Sequence, residues 1–109
     1  MNYILTVAAE ADVRSIIRYT GKQWGVAQVR RYMASLEKGI ALIALGQGTF
    51  KDMSALYPAL RMAHCRHHYI FCLPRENAPP LIVAILHERM DLMVRLKERL
   101  GLWHKPPES

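Results

Sequence analysis

The chain has 109 residues, and its 15 lysines and arginines outnumber its 9 aspartates and glutamates, which gives a formal charge of +6. This length matches one ordinary domain, and the 51% apolar content argues against intrinsic disorder. No apolar run approaches the roughly 18 residues that a membrane-spanning helix needs. The first residues lack the features of a signal peptide, so we expect a cytoplasmic protein without membrane association. The positive charge favours an acidic partner, either a nucleic acid or a protein.

The N-terminal residues predict a short strand and then a helix. Residues 3–7 alternate in the manner of a strand and are rich in side chains that favour β structure. Apolar residues then recur at three- and four-residue spacing, the pattern of a helix with one buried face, at Val13, Ile16 and Ile17. Gly21 marks the expected end of this helix.

A second helix is predicted over about residues 26–45. Its apolar stripe repeats at helical spacing, and its members are Val29, Met33, Leu36, Ile40 and Ile43. Two amphipathic helices joined by a few residues most simply form an antiparallel hairpin. Trp24 and Tyr32 lie near this hairpin, and we expect them to be core or staple residues rather than platforms for stacking.

The pattern becomes extended in the second half of the chain, after a connecting loop at residues 50–58. Residues 60–65 and 67–73 are predicted strands because they contain several β-forming side chains. Residues 74–80 contain three prolines and are predicted to form a turn or loop. Residues 81–86 are a continuous apolar run, which is typical of a strand buried on both faces.

A short last helix is predicted to begin after Asp91, a good capping residue, and to end near Leu100 before Gly101. Residues 101–109 are expected to be a flexible tail, so that residues 1–100 form a single domain. The resulting fold class is α+β. An N-terminal strand and an antiparallel helix hairpin pack on a mainly antiparallel sheet, which three C-terminal strands complete before the short helix.

Histidines and cysteines cluster within nine residues, at His64, Cys65, His67, His68 and Cys72. A structural zinc site requires ligands that converge from defined turns, and the usual paired spacings are missing here. Consecutive strand residues also point to opposite faces of a sheet, so neighbouring histidines would not meet at one ion. We therefore interpret these residues as strand histidines and buried thiols, and we expect neither a metal nor another cofactor.

A second group of residues could bind phosphate and transfer protons during RNA cleavage, and it consists of Arg61, Arg66, His68, His87 and Arg89. Arg61 and Arg66 have opposite strand parity, so a regular strand would not bring them together. A solvated basic face is the interpretation that we favour, because basic surface residues are common. No known nucleophile motif is present to support catalysis.

The last predicted helix carries an apolar stripe formed by Leu92, Met93, Leu96 and Leu100. Such a stripe either docks on the sheet or accepts a segment of a partner protein in place of solvent.

Several segments together resemble the ParE-type toxins of the RelE/ParE superfamily. The helical part contributes Ala11-Asp12-Val13 and Trp24-Gly25, and the sheet contributes Tyr69-Ile70-Phe71. The run Ile85-Leu86-His87-Glu88-Arg89-Met90-Asp91, followed by Arg95-Leu96, resembles the ParE signature most specifically. The resemblance extends over about residues 3–100, and it implies the same helix hairpin packed on a mainly antiparallel sheet.

The resemblance implies a growth-inhibiting toxin of a type II toxin–antitoxin module, with a cognate antitoxin as partner and DNA gyrase as the cellular target. It also implies that the toxin is not an enzyme, and that nucleic acid is contacted only through the antitoxin complex. An acidic antitoxin segment that folds on binding would suit the charge of +6.

Two alternatives remain open. The chain could be a ribosome-dependent mRNA endonuclease of the RelE type that uses Arg61, Arg66 and His87, although no tyrosine follows Tyr69 and His87 lies within the ParE-like segment. It could also be a degenerate module that acts only in antitoxin binding or co-repression. The residues expected to contact antitoxin or target are Arg61, Arg66, Arg89, Leu92, Met93, Arg95, Leu96, Lys97 and Arg99.

Overall fold

The computed structural model of the chain describes residues 3–101, so the tail predicted at residues 101–109 lies almost entirely outside the described residues. Two helices cover one face of a five-stranded sheet, and a third helix packs on the other face. The elements in chain order are β1 (Ile4–Leu5), α1 (Val7–Trp24), α2 (Val26–Ala44), β2 (Lys51–Asp52), β3 (Arg61–Cys65), β4 (His68–Arg75), β5 (Ala78–His87) and α3 (Leu92–Leu100). None of the described helices is long and apolar enough to cross a membrane.

The sheet confirms the predicted α+β class. Its strand order is β1-β5-β4-β3-β2, with β1 parallel to β5 and every other pair antiparallel. Several strand predictions differ from the structure: β1 covers only Ile4–Leu5 of the predicted residues 3–7, and β4 continues to Arg75, two residues beyond its predicted end. The short strand β2 lies within the expected loop, and β5 begins at Ala78 rather than at residue 81. Pro79 and Pro80 fit in β5 for two reasons: β1 pairs only with Leu81 and Ile82, which leaves one edge of the strand free at the prolines, and the pairing with β4 is irregular between Leu73 and Arg75.

The helix hairpin forms as predicted but with a longer first helix. The Thr6 hydroxyl caps α1 by accepting a hydrogen bond from the Ala9 N–H at 3.1 Å. The helix continues through Gly21 to Trp24, and Gly25, with a φ of 88°, makes the turn into α2. Tyr32 is buried as expected, whereas the prediction for Trp24 was wrong because its side chain is 70% exposed in the last turn of α1.

A β-bulge at Val83 sets which side chains of β5 enter each core. Phe71 pairs with Ala84, but the next residue of β4 pairs with Ile82, so Val83 is the extra residue. The bulge shifts the alternation, and both Ile82 and Ile85 therefore pack against the helix hairpin. The opposite core contains Phe71, Leu86 and Leu96 beneath α3.

Gly39 permits the close approach of α2 to the sheet. A Cβ atom at this position would lie 3.2 Å from both Cys65 Sγ and Ile70 Cδ1, which is tighter than normal packing. We expect Gly39→Val to lower the free energy of unfolding by about 1–3 kcal/mol through overpacking. Gly21→Ala is the matched control, since its Cβ would meet Val29 at an ordinary 3.6 Å. In urea unfolding, the control is expected to have a free energy of unfolding about 0.5–1 kcal/mol higher than that of the wild type. Equal effects of the two changes would contradict this packing of Gly39.

Candidate functional site

The three residues of the nuclease hypothesis do not converge. Arg61 begins β3, where it donates a hydrogen bond to the Ile43 carbonyl at 3.2 Å and lies 5.0 Å from the centre of the Phe50 ring. His87 is level with the other end of β3, because it pairs with His68, which in turn pairs with Cys65. Four residues of strand, about 13 Å, separate these two levels of the sheet.

Arg66 and His87 do share a cleft, of about 540 Å³, between the helix hairpin and this end of the sheet. Arg66 lies in the turn between β3 and β4 with a φ of 58°, a conformation that most residues avoid. Its guanidinium donates to the Ser35 hydroxyl at 3.0 and 3.2 Å. Other side chains that line the cleft are Tyr19, Trp24, Gln28 and Arg89.

The floor of the cleft is a buried tyrosine–histidine pair. The Tyr32 hydroxyl accepts a hydrogen bond from the His67 backbone N–H at 3.1 Å and is also hydrogen-bonded to Nδ1 of His68. A neutral ring that carries its proton on Nε2 would accept this bond at Nδ1 from the Tyr32 hydroxyl. Burial lowers the pKa of His68 to about 4, with a smaller contribution from the nearby His87 and His67, and burial raises the pKa of Tyr32. His68 is therefore a structural neutral base at physiological pH.

This burial predicts a loss of stability in mild acid. The unfolded chain protonates His68 near pH 6.5, but the native protein does so only near pH 4. The contribution of neutral His68 to the free energy of unfolding is therefore complete above about pH 6.5 and is lost as the pH falls towards 4. Between pH 7 and pH 5 we expect the free energy of unfolding to decrease by roughly 1–2 kcal/mol. Urea unfolding at both pH values measures this change. His68→Gln keeps an acceptor for Tyr32 and should flatten the dependence, whereas an identical slope would contradict the assignment.

The histidine and cysteine cluster is divided among separate partners. Glu88 accepts from His64 Nε2 at 3.1 Å and from His67 Nδ1 at 2.9 Å, and these bonds lower the pKa of its carboxyl group. Cys65 donates to the Ser35 carbonyl, and burial raises the pKa of the Cys65 thiol. Burial also raises the pKa of Cys72 to about 11. Among residues 3–101, no three such side chains are placed to hold a metal ion.

The second candidate surface is the outer side of α3 and the turn before it. The basic side chains of Arg89, Arg95 and Lys97 are exposed there, together with the apolar side chain of Met93. The other candidates lie deeper, since Leu92 is half-buried against the core. Leu96 is fully buried beneath α3, so its side chain is unavailable to a partner while the helix stays docked.

Arg99 was expected to be an exposed cation, but its side chain is only 24% exposed and is paired with Asp12 of α1. The two guanidinium nitrogens reach the carboxylate at 2.8 and 3.0 Å, and one also donates to the Val83 carbonyl at 2.9 Å. Asp12 in turn accepts from the Ile85 backbone N–H at 2.9 Å. The pair thus supplies hydrogen-bond partners for the Val83 carbonyl and the Ile85 N–H, which lie on the edge of β5 beyond the end of β1. It also connects α1, β5 and α3.

This role of Asp12 was not predicted, because an acidic residue near the start of a helix has a simpler explanation in its favourable interaction with the helix dipole. The signal in the sequence was an acidic residue near the apolar face of a helix, beside Val13 and close to the buried Ile16. Its partner lies 87 residues further along the chain, a distance over which local patterning carries no information.

Comparison with known proteins gives one consistent family. Residues 3–92 match the family model described as the ParE toxin of the type II toxin–antitoxin system parDE. The chain is 70% identical to Toxin ParE of Escherichia coli over 90% of its own length and 95% of that protein. It is 29% identical to Toxin ParE1 of Caulobacter vibrioides over 86% and 96%, and 28% identical to Toxin ParE1 of Mycobacterium tuberculosis over 83% and 92%. The chain belongs to the ParE toxin family of type II toxin–antitoxin systems, a family whose toxins act with an antitoxin partner.

Proposed function

We propose that this toxin arrests growth by binding DNA gyrase, without cleaving nucleic acid itself, and that its antitoxin cancels the effect by covering the toxin. One observation supports the absence of nuclease activity. Arg61 donates a hydrogen bond to the Ile43 carbonyl near the end of α2, and it lies about four strand residues from the level of His87 in the sheet. Cleavage of a phosphodiester bond needs its basic and proton-transferring groups around one phosphate. The gyrase target follows from the ParE resemblance.

The surface around α3 suits both partners. Arg95 and Lys97 present cations to solvent, and Met93 and Val94 expose apolar side chains on the same short helix. An acidic segment with interspersed apolar residues would find both charge complementarity and an apolar contact here. This surface is therefore our candidate for partner binding.

A supercoiling assay with purified gyrase tests the target. We expect the toxin to inhibit supercoiling of relaxed plasmid and an equimolar amount of antitoxin to restore it. The double variant Arg95→Ala/Lys97→Ala should need about tenfold more protein for equal inhibition. The matched control removes two exposed cations from α2, in Arg30→Ala/Arg31→Ala, and should act as the wild type. Normal supercoiling at toxin concentrations that saturate the antitoxin would eliminate gyrase as the target.

The endonuclease alternative retains one supporting observation, because Arg66, His87 and Arg89 line the same cleft. However, the Nδ1 atom of His87 already accepts the Arg89 backbone N–H at 3.0 Å. Primer extension on cellular transcripts after induction separates the two functions. New cuts within reading frames that disappear in His87→Ala would favour the nuclease, whereas intact transcripts in arrested cells support the gyrase proposal.

A further inference from the structure

The cleft has one wall with two aromatic rings in solvent. Trp24 is 70% exposed and Tyr19 is 63% exposed, and both lie in the C-terminal part of α1. Neither ring contributes to the two cores of the described chain. Large aromatic side chains that remain exposed beside a cavity are typical of binding surfaces, since their flat faces accept a planar ligand.

The part of the cleft lining that comes from the ends of the strands carries positive charge. Arg66 and Arg89 are both exposed and line the cleft, and within residues 3–101 neither forms an ion pair. The one acidic side chain at the rim, Glu88, is already bonded to His64 and His67. The cleft therefore combines two exposed aromatic faces with two cations that form no ion pair among the described residues, and this combination complements a ligand with planar rings and negative charge.

We propose that this cleft binds single-stranded nucleic acid, with a base stacked on Trp24 or Tyr19 and a backbone phosphate held by Arg66 and Arg89. Proteins that bind single strands without sequence preference combine these two features, stacking platforms and a cationic groove. Trp24 is thus a stacking platform, contrary to the role expected from the sequence. This contact is direct, goes beyond the proposed binding of gyrase and does not depend on it.

The chemistry of the cleft favours nucleic acid over a helical peptide. An amphipathic helix docks through a continuous apolar groove, but the floor here consists of the Tyr32 hydroxyl and the rings of His68 and His87. The cleft volume of about 540 Å³ accommodates a nucleotide or two rather than several turns of helix. An acidic peptide would use the arginines but would leave the two aromatic faces without a planar partner.

Fluorescence anisotropy with labelled ten-residue oligonucleotides of thymidine and of uridine tests the proposal on the full chain. We expect binding at low salt, a loss of about tenfold in Trp24→Ala, and substantial recovery in Trp24→Phe. Arg89→Ala should lower the slope of log affinity against log salt by about one. Arg75→Ala is the matched control, because it removes an exposed cation from the opposite end of the sheet, and its salt slope should remain that of the wild type.

Arg66→Gly separates binding from folding. Glycine accepts the positive φ of this turn without strain, which should offset the loss of the exposed hydrogen bonds to Ser35, so the variant should have a thermal stability close to that of the wild type while it binds the oligonucleotides more weakly. Equal affinities of Trp24→Ala, Arg66→Gly and the wild type would overturn the proposal. Displacement of both oligonucleotides by polyglutamate, together with an unchanged affinity in Trp24→Ala, would also overturn it and would assign the cleft to an acidic peptide. A stronger response to one oligonucleotide would identify DNA or RNA as the preferred ligand within the proposal.

Discussion

Asp12→Ala is expected to lower the free energy of unfolding by roughly 2–4 kcal/mol, although the sequence pattern alone places this residue outside the apolar stripe of its helix. Its carboxylate is only 14% exposed and binds both guanidinium nitrogens of Arg99 as well as the Ile85 backbone N–H. Removal of one partner leaves the other charge and an N–H group without compensation in a partly buried site. Urea unfolding of the purified chain measures the change.

The double variant and a surface control define the origin of this loss. Arg99→Ala combined with Asp12→Ala should cost less than the sum of the single changes, because each single change already breaks the pair. Arg95→Ala removes an exposed cation from the same helix and should change stability by less than about 0.5 kcal/mol. Additive effects of Asp12→Ala and Arg99→Ala would contradict the contact between α1 and α3.

The same pair has a consequence for partner binding. Arg99 donates to the Val83 carbonyl as well as to Asp12, so it anchors the helix that carries Arg95 and Lys97. We expect Asp12→Ala to increase hydrogen exchange in α3 more than in the helix hairpin, because α3 loses its only described ion pair to the rest of the chain.

Ile85→Ala is expected to destabilise the protein by roughly 2–5 kcal/mol. The side chain is buried opposite Ile70 of β4 and packs against the helix hairpin. Truncation removes apolar contacts and leaves a cavity that the surrounding side chains fill only partly. Against a total stability of about 5–15 kcal/mol, this change would leave some of the free toxin unfolded at physiological temperature.

Ile4→Ala is the matched control for this prediction, since it removes the same atoms from the same sheet. Ile4 lies in β1 and is 45% exposed, so its truncation should cost much less than that of Ile85. Thermal unfolding of both variants by circular dichroism compares them directly. An unchanged melting temperature in Ile85→Ala would contradict the burial of this side chain between β5 and the helix hairpin.

Local patterning was sufficient for the helices and for the long strands. The stripe of α2 has a strong helical period, and this helix lies where the stripe predicted it. The continuous apolar run at residues 81–86 does lie in β5, but the strand extends beyond it at both ends, from Ala78 to His87. The strand β2 was missed because its two residues, Lys51 and Asp52, are both exposed and have no β-forming side chains. The bulge at Val83 was also missed, because a one-residue shift between strands has no periodic signal in the sequence.

The candidate site was only partly predictable. The sequence grouped five residues, for which a solvated basic face was the favoured interpretation: Arg61, Arg66, His68, His87 and Arg89. The structure brings four of them to one cleft, and the strand register separates Arg61 from the others. Trp24 was expected in the core because large aromatic residues usually bury, and only the length of α1 shows that the ring extends beside the cleft. The Asp12–Arg99 pair depends on two helices meeting at one strand edge, which is a property of the tertiary fold.

Plasmid topology in cells after induction of the toxin gene tests the proposed target most directly. We expect newly isolated plasmid to lose negative supercoils or to accumulate double-strand breaks before growth stops, and we expect coexpression of the antitoxin to prevent both changes. Arg95→Ala/Lys97→Ala should weaken the effect at equal protein levels, and Arg30→Ala/Arg31→Ala should not. Growth arrest with fully supercoiled, intact plasmid would contradict gyrase as the target and would mean that the toxin acts on another target.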